Sequence, residues 1–203
     1  MNVKEWRNRI VRRTDFSCDL THLTKSNGNN NSLDVLIKIL KDKKLVGGSG
    51  YVCGDTPVVC FQDVPLNSLS ENILYEQTLQ KKNPEQLHRY DAFGLRFSKT
   101  FIYRQGGRPV IYEDTEIAKK FLPKEEYWRI VKLDLSNDDN VIDWTHEREW
   151  RVKGSLEFDW SDVEIVLSQE HSLQRFIKKC KENDIEDVLE KVKGIITLKS
   201  LIF

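Results

Sequence analysis

Residues 143–152, DWTHEREWRV, set the reading of the whole chain. Two tryptophans, two glutamates and two arginines crowd into this short run. Strand alternation sends Glu147, Glu149 and Arg151 to one side and Arg148, Trp150 and Val152 to the other. The segment is therefore expected to be a strand whose charged face is free for chemistry and whose apolar back anchors it.

Outward from this strand, residues 127–135, YWRIVKLDL, alternate as a second strand, and a polar turn at 137–140 leads into the first. Beyond it, residues 163–167 read as a strand and 172–181 as a helix with Leu173, Phe176 and Ile177 inward. A short helix at 184–193 and a last strand at 195–198 follow.

Nearer the amino terminus, residues 6–13 suit a short helix, and 16–24, FSCDLTHLT, suit a strand carrying His22, with Thr21 and Thr24 beside it. The polar turn 26–32 can cap an amphipathic helix running to about residue 43, with Leu33, Leu36, Ile37 and Leu40 on one face. The glycine-rich 45–51, LVGGSGY, lacks the spacing of a phosphate loop and reads as a flexible turn. Residues 57–61 form a buried strand, and the polar stretch to residue 89 is expected to be a weak helix or a mobile lid. Two β-rich runs, 92–103 and 109–112, flank the turn RQGGR and predict a hairpin. Residues 114–121 read as a helix. The sum is an α+β chain, one domain over 1–203, with a central and mostly antiparallel sheet flanked by helices.

Composition narrows the function classes. Lys plus Arg and Asp plus Glu each number 32, so no global basic field drives nucleic-acid binding. The basic run 4–13 is a local exception, with a solvated helix face as its plainer reading. No apolar run of about 18 residues is present, and a cytoplasmic protein that does not engage a membrane is expected. Cys18, Cys53, Cys60 and Cys180 form no CxxC pair and are expected to be reduced thiols; with His22, the first three match no common zinc spacing.

Taken together, THLT at 21–24, the helix at 32–45 and the strand ending in Cys60 and Phe61 resemble the front of ADP-ribosyltransferase-like folds. FGLRFSK at 93–99, GRPVIY at 107–112 and EREWRV at 147–152 look like bacterial abortive-infection proteins of the AbiGi type. The resemblance implies an NAD-consuming transferase, a toxin or phage-defence effector that modifies a nucleic acid or protein and is restrained by an antitoxin or regulatory partner. It maps the family's histidine to His22 and its strand glutamate to Glu149, with Tyr112 or Tyr103 as the middle tyrosine. Glu147 and Glu149 form an E-x-E pair similar to that of arginine-modifying transferases. Those enzymes carry an arginine on the first strand where this chain has His22, which separates the two cases.

The chemistry explains these residue types. Cleavage of the nicotinamide–ribose bond builds positive charge on the sugar, which a carboxylate stabilises. Imidazole and hydroxyl groups such as His22 and Thr24 hold ribose or phosphate, a tyrosine stacks on nicotinamide, and Arg96, Arg104 or Arg108 can take the pyrophosphate. For the arginines, surface ion pairs are the competing role. Two other function classes remain open at this level: a non-catalytic sensor of phage defence, and a metal-dependent nuclease built on residues such as Asp55, Asp63 and Asp91.

Overall fold

In the computed structural model, which describes residues 1–11, 13–50, 52–83 and 89–201, the sequence periodicities become two helical layers around a sheet. Helix α1 (Val3–Ile10) opens the chain, closed by a reciprocal cap in which Asn2 and Glu5 each accept the other's backbone N–H at 2.9 Å. Strand β1 (Asp19–Leu23) follows, then α2 (Ser32–Asp42), whose cap is Asn31. That helix buries Leu33, Leu36, Ile37 and Leu40, as its spacing requires. It stops at Lys43, which adopts a left-handed φ of 49°.

The chain continues through β2 (Lys44–Leu45), β3 (Val58–Gln62), α3 (Leu66–Lys82), β4 (Gly94–Ser98) and α4 (Lys99–Arg104). Next come β5 (Arg108–Pro109), β6 (Ile111–Glu113), α5 (Thr115–Phe121) and β7 (Ile130–Lys132). The carboxy-terminal third supplies β8 (Glu149–Lys153), β9 (Leu156–Glu157), β10 (Val163–Leu167), α6 (Glu170–Glu182), α7 (Val188–Lys191) and β11 (Gly194–Thr197).

Seven strands join in the order β11-β10-β4-β1-β3-β8-β5. All pairings in this sheet are antiparallel except β10 with β11. The expected α+β class with a mostly antiparallel sheet is what is found. On one face Leu20, Phe61, Leu95, Phe97 and Val152 pack with the apolar stripes of α2 and α6. On the other, Val166 and Leu23 meet Leu69 and Ile73 of α3. Beyond this sheet, β6 pairs in parallel with β7, placing a small ladder beside β8.

Three expectations fail, each for a local reason. Residues 92–112 are not a hairpin: the strand stops at Ser98, whose hydroxyl caps α4 by accepting the Phe101 N–H at 3.3 Å. Packing overrides the β preference of that run, since Phe101 stacks on Phe97 and Ile102 is fully buried. Residues 124–129 form a 3-10 turn, so only Ile130–Lys132 of the expected 127–135 strand is extended. Within the opening segment, Thr145–Glu147 is a 3-10 turn and Arg148 takes a left-handed φ of 46°. The working strand therefore begins at Glu149, and Glu147 sits on the turn before it. The stretch to residue 89 contains a helix, α3, with residues 84–88 outside the described ones, as are Arg12 and Tyr51.

Candidate active site

Alternation along β8 puts Glu149 and Arg151 on one face, away from Val152 in the core. Both charged side chains are buried. Arg151 donates from Nε to Glu149 Oε1 at 2.8 Å and from Nη2 to Oε2 at 3.3 Å. Its remaining nitrogen donates to the carbonyls of Trp128 at 2.6 Å and Ile130 at 3.2 Å. A carboxylate held by this fork keeps two lone-pair directions for another donor.

Strand β6 adds Tyr112, whose hydroxyl accepts the Glu149 backbone N–H at 2.7 Å. Burial pushes that phenol up to about 12, against the N–H bond, so it stays neutral. Behind the strand, Trp150 donates to Asp63 at 3.1 Å, and Asp63 is paired with Lys99 at 2.7 Å. The Asp63 N–H in turn reaches the carbonyls of Glu147 and Arg148, pinning the turn to β3.

That turn points Glu147 toward the same space. Its carboxyl is pushed up to about 7, first by burial and then by Glu149 and Glu76, while Arg89 opposes the rise. A carboxyl that titrates near neutrality suits a general base. Glu147, Glu149 and Arg151 line a cleft of about 580 Å³, within the range of about 300–1,000 Å³ usual for small-molecule sites. Its walls are the glycine-rich segment at Ser49 and Gly50, Val131 and Lys132 of β7, and Trp144. The stretch read as a plain turn is thus a wall of the cleft.

His22 is placed elsewhere. Direct pairing sets His22 opposite Leu95 and Leu20 opposite Phe97, whereas Thr21 pairs with Gln62 and Gln62 with Glu149. Paired residues share a face, so His22 lies on the α2 side and Glu149 on the α3 side. The expected juxtaposition in one cleft is not formed. His22 Nδ1 lies 2.8 Å from the Cys60 carbonyl, which can only accept, so Nδ1 carries the proton. Burial lowers its pKa, and its ring meets Phe61 edge-on at 5.8 Å.

Several other expected contacts are also absent from the cleft. The buried Thr24 hydroxyl is spent on the carbonyls of Ser32 at 2.9 Å and Phe93 at 3.1 Å. Arg96 is paired with Asp19 at 2.9 Å and Glu164 at 2.6 Å. Tyr103 and Arg104 ride on α4; Tyr103 is exposed, with the Arg108 guanidinium 4.1 Å from its ring. Thr24, Arg96 and Tyr103 share a physical reason, since each meets a local partner outside the cleft; Arg104 is carried away from it by its place on α4. Among the described residues, no three His, Cys, Asp or Glu side chains converge as metal ligands. The four cysteines are free thiols, and no described helix is long and apolar enough to cross a membrane.

Arg89 and Trp144 were not singled out by sequence reasoning, although both line the cleft. The tryptophan lay inside the quoted segment, whereas Arg89 follows a polar stretch that carries no local signal.

No family profile and no curated protein matches this chain. Among solved structures, it aligns with Thermus sp. 2.9 DarT in complex with NAD+ at 13% identity and a TM-score of 0.48, covering 92% of this chain and 98% of that one. DarT in complex with carba-NAD+ aligns at 14% identity and 0.46, with the same coverage.

Proposed function

We propose that the protein is an NAD-dependent ADP-ribosyltransferase whose reaction centre is the Glu149 cleft. The observation that supports this reading is a buried carboxylate lining the cleft, held by Arg151 on a residue whose backbone N–H is bound by Tyr112, with a second carboxylate, Glu147, two residues earlier. In the reaction, the bond from C1′ of the ribose to nicotinamide breaks and nicotinamide leaves with the electron pair. Glu149 stabilises the positive sugar that remains and holds a ribose hydroxyl through its free lone pairs. The acceptor's nucleophile then bonds to C1′, and its proton passes to Glu147. Lys132, which lines the cleft, is a cation available to the pyrophosphate.

The acceptor is a macromolecule, nucleic acid or protein, and the biological setting is a toxin or phage-defence effector restrained by a partner. His22 has no contact with NAD in this version, because it occupies the other face of the sheet. That same placement favours a second reading, a non-catalytic sensor built on this fold.

Incubation with biotinylated NAD and cell extract, with nuclease and protease arms, tests the first reading and sorts the acceptor. Transfer of label that needs Glu149 is expected. NAD that neither labels anything nor raises the melting temperature leaves the sensor reading standing.

A further inference from the structure

A second cleft, of about 440 Å³, borders the first and is walled by Asn72, Tyr75 and Glu76 of α3. The two share Arg89 and Trp144. The Arg89 guanidinium carbon lies 3.6 Å from the Trp144 ring centroid, a clamp that fixes a long side chain. Its Nη1 stands 3.7 Å from Glu147 Oε1, beyond hydrogen-bond reach yet close enough for strong attraction. That same Nη1 is buried without a hydrogen-bond partner among the described residues. A buried donor left unmet is costly, so its position reflects what Trp144 and Glu147 do to it together.

The four charged groups facing Glu147 come from three places. Glu76 belongs to α3, Glu149 and Arg151 to β8, and Arg89 to the segment before β4. Tyr90, Tyr112 and the Cys60 thiol also feel its charge. Two carboxylates oppose ionisation of Glu147, and two guanidinium groups favour it. Arg151 is committed to Glu149 and to two carbonyls. Arg89 is left as the cation for Glu147.

We propose that Arg89 is the positioning residue for Glu147: held over the Trp144 ring, it favours the charged form of that carboxyl and draws it toward the wall that the two clefts share. The proposal rests on the reading of Glu147 as the acceptor's base, but the attraction itself is independent of any turnover. Replacing Trp144 frees Arg89 to swing into solvent. Replacing Arg89 removes the charge outright.

The test is a carbon-13 NMR titration of the Glu147 carboxyl in the full-length protein, its resonance identified by its loss in Glu147→Gln. Arg89→Gln is expected to raise the midpoint by about one pH unit, Arg89→Lys by less, and Trp144→Leu in the same direction. Should Arg89→Gln fail to fold, Trp144→Leu and Arg89→Lys carry the test alone. Midpoints equal to wild type in the folded variants overturn the proposal. If wild type releases no nicotinamide from NAD, the transferase reading fails while the titration still decides the role of Arg89. If it does, transfer by Arg89→Gln should reach half its maximum at a correspondingly higher pH, with KM for NAD little changed.

Discussion

Truncating Arg151 to alanine probes the part of the site that the fold holds most tightly. Arg151 is 5% exposed and Glu149 8%. Removing the guanidinium strips both donors from the Glu149 carboxylate and leaves the carbonyls of Trp128 and Ile130 without that partner. Breaking a buried ion pair from one side costs about 3–5 kcal/mol, because the surviving charge stays buried and unpaired. A folded protein has only about 5–15 kcal/mol in hand, so Arg151→Ala should lose a large share of its stability. In urea unfolding near neutral pH, the midpoint should fall sharply. Adding Glu149→Gln removes the stranded charge, so the double variant should be more stable than Arg151→Ala alone. A single variant that loses less than about 1 kcal/mol, or a double variant no better than the single, refutes the view of this pair as a buried, mutually dependent unit.

Other perturbations have equally definite outcomes. Glu147 is raised from 4.5 to about 7 in the folded protein, so the folded state binds more protons than the unfolded chain between those values. Stability from this group is fully present below the unfolded value and is lost as pH rises toward 7, by roughly 3 kcal/mol at most. Glu147→Gln should flatten that decline in a series of melting curves; an unchanged slope contradicts the burial of its charge. At Gly94 an added Cβ would overlap the His22 carbonyl across the β1–β4 pairing. Gly94→Ala should therefore lower stability by more than about 1 kcal/mol, and a neutral result would show that the strands separate at little cost.

Much of the fold was legible because it rests on local periodicity. The β10 run is apolar except for Glu164, and α2 carries its core stripe at helical spacing, so both are legible close to their observed bounds. The 92–112 region misled because aromatic and β-branched residues read as strand, while Phe101 stacking and the Ser98 cap make a helical turn. In the site, Glu147 and Glu149 share a cleft although they do not share a strand: the left-handed Arg148 intervenes, and nothing in that residue's identity announces it. The misplacement of His22 has a different origin. Which face a strand residue occupies relative to a distant glutamate depends on the register of β1, β3 and β8, a property of tertiary pairing that a single residue's shift reverses. Arg89 was missed for a related reason, since its partners Trp144 and Glu147 reach it only through the assembled cleft.

The most direct measurement is nicotinamide release from NAD by purified protein, compared with Glu149→Gln, with NAD binding followed in parallel by calorimetry. Release by wild type is expected, with a loss of at least about a hundredfold in the variant, which corresponds to the roughly 2.7 kcal/mol typical of removing one preorganised charge-stabilising group, while NAD still binds. Equal release by both proteins, or no binding and no release by wild type, contradicts this expectation.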